Sequence, residues 1–410
     1  MDSAGVPHLD FVTVPLPEPV DLLSILPDRN VMSWVRDGDG VVAWGESARL
    51  ETGGQERFSR AQRWWSQVCE AAHVTDEVQA SGSGPLAFAS FTFADGPGTS
   101  AITVPQVVVG RRHDKSWLTL VGDATPPTPG DAAPPRQPGT VRELPGSIPG
   151  PQWREAVAQA IGRVSAGGLD KVVLARDVVL EAHAGFDART VLSRLADDYP
   201  ECWTFCVDGL LGATPEMLVR RSGHRVASRV LAGTVRRSTD SSADDRLADA
   251  LLRSDKDLVE HRYAVESVAA ALARHCTDLE VPDAPGLLVL ANVQHLVTDV
   301  QGLLADESSA IALAASLHPT AAVCGTPTER AGAVIAQLEG MDRGRYAGPV
   351  GWVDANGDGE FGIALRCGSL EDDGRRMRLY AGCGIVAGST PDSEWAESEA
   401  KFAAMRHAAG

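Results

Sequence analysis

The sequence predicts an α+β protein whose strands pair largely antiparallel, and three patterns predict it. Short runs of β-branched and aromatic residues are separated by tight-turn signals. Between them lie longer stretches with apolar residues at helical spacing. No internal repeat occurs at solenoid or propeller periods. The chain has 410 residues, 44% hydrophobic and 22% charged, which is ample for a core and fits one large domain or two ordinary ones.

Taken in order, residues 1–30 are proline-rich and read as extended segments and turns. Val31–Gly45 is two strand runs around Asp37-Gly38-Asp39-Gly40, a hairpin signal. Glu56–Ala72 sets Phe58, Ala61, Trp65, Val68 and Ala72 on one helical face. Leu86–Phe93 and the runs ITVPQVVVG and SWLTLVG read as strands, so residues 1–121 form a mixed, largely antiparallel part of the fold. Residues 122–150 are dense in proline and glycine and are expected to be a surface loop or linker.

Residues 151–410 begin with a helix over Pro151–Ala166, stopped by Gly167-Gly168, and a strand over Lys171–Leu180. A helix at Ala188–Asp197, a strand at Cys202–Val207 and two strands around Ser222-Gly223 follow. The helix predicted over Asp255–Cys276 places Asp257, Glu260 and His261 at i, i+3 and i+4. Next come a strand at Leu287–Thr298, a helix at Ile311–Leu317, and Thr326-Pro327-Thr328-Glu329, which has the pattern of a capping box. Three more strands lead to a closing helix, for which Thr390 is the expected N-cap and Pro391 the first residue.

A formal charge of −18 leaves no basic field to attract a polyanion, which argues against nucleic acid or an anionic membrane as partner. The seven cysteines are scattered with no C-x-x-C pair, as expected for free thiols in a reducing compartment. With neither a leader pattern nor a membrane-length apolar run, the expected localisation is cytoplasmic. Asp354, Asn356, Asp358 and Gly359 begin like a calcium loop but have Leu365 where its bidentate glutamate belongs, so a β-hairpin turn is the better reading. Gly382–Gly388 resembles a dinucleotide fingerprint with one residue too many and no βαβ unit around it. There is no G-x-S-x-G, H-E-x-x-H or Walker pattern.

On the closing helix Glu394, Glu397 and Lys401 fall on one side. Two carboxylates there suit a hard divalent cation such as Mg²⁺, and the lysine suits an anion. The alternative is a solvated face with a Glu397–Lys401 ion pair, and the Asp257/Glu260 cluster has the same alternative.

The succession DKVVLAR, GATPEMLVRR, RVLAGTVRR, DLVEHRYAVE, LHPTAAVCGTP, DRGRYAGPVGW, ALRCGSL, YAGCGI and EWAESEAK resembles the chorismate-utilising enzymes, and among them the isochorismate synthases. It covers about Gly168 to Lys401; the N-terminal third resembles the menaquinone-type synthases more loosely. The resemblance implies the chorismate-binding fold shared with anthranilate synthase component I, in which antiparallel sheets flanked by helices enclose a central cleft. It implies Mg²⁺-dependent conversion of chorismate to isochorismate, with water added at C2 and the C4 hydroxyl lost. Lys171 matches the general base and Glu216 the general acid. Glu260 and Glu397, with Asp257 and Glu394, match the metal ligands, direct or through water. Arg366, Lys401, Gly382 and Tyr346 match groups around the pyruvyl carboxylate; Gly233 and Thr234 line the ring and its leaving hydroxyl, and His295 lies near the ring.

Relatives that add ammonia generally lack a lysine at the place of Lys171 and work with a glutaminase, so no such partner is expected and a monomer is the default. Salicylate synthases keep the lysine, but tend to carry a hydroxyl residue where this chain has Ala322. Salicylate synthase, a siderophore-pathway isochorismate synthase and a non-catalytic chorismate-binding relative are the alternatives. Ala321 departs from the family's usual proline.

Overall fold

The computed structural model describes residues 6–96, 98–126 and 133–410. Its strands form a thirteen-stranded and a ten-stranded sheet. Pairing is antiparallel throughout the site-bearing strands, with one parallel pair, Asp10–Leu16 with His73–Asp76, near the far end of the larger sheet. Residues from both sides of the 122–150 stretch contribute to each sheet: Trp203–Val207 pairs with Val31–Arg36, and Pro349–Asp354 with Leu86–Ser90. The fold is the α+β arrangement of antiparallel sheets and flanking helices expected from the sequence.

Local chemistry explains the elements that were foreseen. In the first hairpin Arg36 pairs with Asp39, leaving a two-residue turn in which Asp37 and Gly38 have φ of 51° and 75°, the geometry that matches strand twist. The Arg57–Ala71 helix buries Phe58, Ala61, Trp65 and Val68 at the expected spacing. Thr390 caps the Pro391–Ala409 helix, its Oγ1 accepting from the Ser393 amide at 3.3 Å. The Asp354 carboxylate accepts from the amides of Asn356 and Asp358, closing a hairpin where the calcium-like pattern lay. The seven cysteines are all free. No helix among the described residues is long and apolar enough to cross a membrane.

Four local expectations need correction. Within 122–150, Val141–Pro145 is a strand that pairs along Val178–Ala182, so this stretch is not all loop. The Leu287–Thr298 run is two strands, Gly286–Val289 and Val293–Leu304, which pair with each other. Thr326 forms no capping box, because its backbone is paired with Lys171 and Pro327 takes the N-cap position of the Thr328–Leu338 helix. Finally, a helix at Ser241–Leu252, capped by Asp240, was not anticipated.

The cleft is built on the Lys171–Ala182 and Arg376–Ile385 strands, which pair over ten positions and set Val173 opposite Gly384 and Ala175 opposite Gly382. The Gly150–Ser165 helix packs behind them through Trp153, fully buried, whose Nε1 donates to the Ala175 carbonyl at 3.0 Å. Truncating Trp153 to alanine would cost about 3–5 kcal/mol and loosen the strand that carries Lys171.

Candidate active site

A cavity of about 310 Å³ is lined by every residue nominated from the sequence. Lys171 and Glu216 are there, with Asp257, Glu260, Glu394 and Glu397 from the two helices. Gly233, Thr234, His295, Ala322, Tyr346, Arg366, Gly382 and Lys401 complete the set. The nominated residues span Lys171 to Lys401, and pairing across the sheets brings them together.

Lys171 is 1% exposed, and its Nζ lies 2.8 Å from Glu260 Oε1. Burial would raise the Glu260 pKa, but Lys171, with Lys401 and Lys256 adding to it, brings it below the ordinary value. Gly384 makes this contact possible: a Cβ there would come within 2.8 Å of both Glu260 Oε1 and Lys171 Cε. Glu216 follows Pro215 between the Leu210–Thr214 and Met217–Ser222 strands. Burial pushes its carboxyl up to about 8, against the opposing pull of Lys171. One acid of the cavity is therefore neutral at pH 7 while its neighbour is ionised.

Gly233 is the extra residue of a β-bulge: Ala232 pairs with Leu296 and Thr234 with His295, leaving Gly233 between them at φ +79°. The bulge turns the strand where Thr234 and His295 meet, with Thr234 Oγ1 2.8 Å from His295 Nδ1. His295 Nε2 lies 3.2 Å from an Arg366 Nη2 donor. Arg366 itself sits at φ +48°, a left-handed conformation uncommon for a side chain of its size. Among the described residues it has no carboxylate at ion-pair distance, and burial lowers its pKa.

Lys401 Nζ donates to the Gly382 carbonyl at 2.7 Å and lies 2.7 Å from Glu397 Oε1. Burial opposes its charge, but Glu397 more than compensates and holds it protonated. The i, i+4 pair foreseen as the alternative thus exists, and it faces the cavity. Tyr346 is buried, with its ring stacked on Tyr380 at 5.0 Å and 9°.

The carboxylates suit a hard cation. Glu394 is 4% exposed, its Oε2 has no hydrogen-bond partner among the described residues, and burial followed by repulsion from Glu397 raises its pKa. Ligand atoms of Glu394, Glu397 and Cys383 lie within 4.8 Å of one another. An orphaned, buried carboxylate oxygen beside a second carboxylate is the environment a divalent cation relieves. Asp257 is also engaged locally, accepting from the hydroxyl of its N-cap Ser254.

Lys256, Arg343, Tyr380 and Gly384 line the cavity but were not nominated. Arg343 is buried, donates to both Glu339 oxygens, and also donates to the Val323 and Val173 carbonyls at 2.9 and 2.8 Å. Glu339 accepts from the Ala175 amide at 2.7 Å, so this pair ties the Lys171 strand to the segment holding Ala322. Arg343, Tyr380 and Gly384 stand in the motifs DRGR and YAGCGI, and Lys256 adjoins Asp257, so the signal was present.

Comparison with known proteins agrees with this geometry. The isochorismate synthase DhbC of Bacillus subtilis is 43% identical over 276 residues, covering 64% of this chain and 69% of that protein. The salicylate biosynthesis isochorismate synthase of Pseudomonas aeruginosa is 33% identical over 95% of this chain and 87% of its own. The structure of MenF, the menaquinone-specific isochorismate synthase from Escherichia coli, superposes with a TM-score of 0.82 at 26% identity, covering 99% of this chain and 95% of that one. The family model "Chorismate binding enzyme" matches residues 18–410, and the chain belongs to that family.

Proposed function

We propose that this protein is an isochorismate synthase, converting chorismate to isochorismate. The observation that carries the reading is the pairing, in one cavity, of a neutral buried acid with a buried lysine: Glu216, with its pKa near 8, and Lys171. Chorismate to isochorismate is an exchange of hydroxyl position. Water adds at C2, the C4 hydroxyl departs as water, and the ring double bonds shift. The departing oxygen needs a proton, which Glu216 holds at neutral pH. The entering water must lose one, and Lys171 is the cavity's amine placed to take it. Glu260 Oε1, 2.8 Å away, is the ion-pair partner of Lys171.

Arg366 and Lys401 supply positive charge for one substrate carboxylate, with Tyr346 beside them. Mg²⁺ held by Glu260 and Glu397, with Asp257 and Glu394 nearby, directly or through water, would neutralise and hold the ring carboxylate. Ala322 offers no hydroxyl to the cavity, which supports water addition over pyruvate elimination. We place the product in menaquinone biosynthesis, supported by the match to menaquinone-specific MenF across almost the whole chain. The similarity to a salicylate biosynthesis isochorismate synthase over 95% of this chain supports a salicylate or siderophore route as the second reading.

The test is product analysis by chromatography after incubating the purified protein with chorismate and Mg²⁺, then with EDTA. Isochorismate formed only with metal is expected. Salicylate with pyruvate would make it a salicylate synthase, and no turnover would leave a binding protein. Deleting the gene separates the routes by whether menaquinone or siderophore disappears.

A further inference from the structure

The contacts of His295 fix the direction of every hydrogen bond around it. Arginine carries only N–H donors, so His295 Nε2, 3.2 Å from Arg366 Nη2, must be the lone-pair nitrogen. Burial, reinforced by repulsion from Arg366 and Lys401 and only partly offset by a backbone hydrogen bond to Gly233, drives the His295 pKa well below its ordinary value, so the ring is neutral. A neutral imidazole has one N–H, which is then on Nδ1 and donates to Thr234 Oγ1 at 2.8 Å. Thr234 has one hydroxyl proton of its own, no other side-chain partner among the described residues, and a place on the cavity wall.

We propose that Arg366, His295 and Thr234 form a one-way relay that presents the Thr234 hydroxyl to the cavity as a hydrogen-bond donor to a substrate oxygen. Arg366 keeps its remaining N–H groups for a carboxylate. A substrate that carries a carboxylate and an oxygen substituent is therefore sensed at both ends through one chain of hydrogen bonds. His295 acts as a positioning residue, its Nε2 lone pair occupied by Arg366 and its proton committed to Thr234. The substrate part of this inference rests on the chorismate reading; the tautomer does not.

Nitrogen NMR of protein labelled with ¹⁵N-histidine, with His295 assigned by its loss in His295→Asn, tests the relay directly. A neutral ring protonated at Nδ1 is expected at pH 7, and protonation at Nε2 or at both nitrogens would overturn the relay. Kinetics give the second reading. Thr234→Val should lower kcat about tenfold with little change in KM, and Thr234→Ser should restore it. His295→Asn, whose amide N–H falls near the place of Nδ1, should retain more kcat than His295→Ala; equal losses would contradict the relay. Circular dichroism checks that each variant folds. An Nδ1 tautomer without turnover of chorismate would leave the relay standing and remove the proposed function, whereas turnover with the other tautomer would do the reverse.

Discussion

Glu216 and Glu260 line the same cavity and are both shielded from water, yet burial leaves the first protonated to about pH 8 while Lys171, 2.8 Å away, keeps the second ionised. Glu394 supplies a third case: repulsion from the Glu397 carboxylate adds to burial, and its pKa rises. Burial raises all three: for Glu216 it outweighs the pull of Lys171, for Glu260 the direct contact with Lys171 helps to reverse it, and for Glu394 the carboxylate of Glu397 adds to it. The acid between the two strands is thus set up to give a proton, and the helix-borne carboxylates to hold cations.

The most disruptive way to break this contrast is Lys171→Ala. It removes the base and also the partner of Glu260, so kcat should fall by about 10³-fold or more while chorismate affinity is nearly kept. Chromatographic assay with calorimetric titration of chorismate measures both, and unchanged turnover would refute the base role. A milder break is Gly384→Ala. Its methyl group would displace the flexible ends of Lys171 and Glu260 rather than backbone, so the protein should fold with a normal far-UV spectrum and lose about 10²-fold in kcat. The smallest effect sharpens the contrast instead. Glu394→Gln removes a buried carboxyl, one of whose oxygens is unpartnered, from beside Glu397, so the metal-free protein should gain roughly 2 °C in Tm and lose most of its stabilisation by Mg²⁺ in a thermal scan. A lower metal-free Tm would mean that the carboxyl is already satisfied.

Much of this site could be read from sequence because its charges sit in short local patterns. Glu394, Glu397 and Lys401 share a helix whose start Thr390 and Pro391 announce, and Asp257 and Glu260 share another. The Lys171–Glu260 contact joins a strand to a helix 89 residues on, and nothing local to either marks it. Val141–Pro145 escaped for a similar reason: a strand flanked by prolines exists because the Lys171–Ala182 strand offers it an edge. The bulge at Gly233 was invisible as a bulge, although the glycine itself was nominated, since register is a property of two strands. Thr326 shows the converse error, a capping pattern overridden by pairing with Lys171.

The raised pKa of Glu216 also links stability to pH. The folded protein keeps a proton that the unfolded chain releases above 4.5, so this contribution is complete below 4.5 and is lost as pH rises through about 8. The central claim is that Glu216 is a neutral acid at working pH, and an infrared difference spectrum between the wild type and Glu216→Gln tests it most directly. The account predicts a protonated-carboxyl stretch at pH 7 that disappears as pH passes about 8, together with a fall in kcat/KM over the same range. A carboxylate signal from Glu216 already present at pH 7 would contradict it.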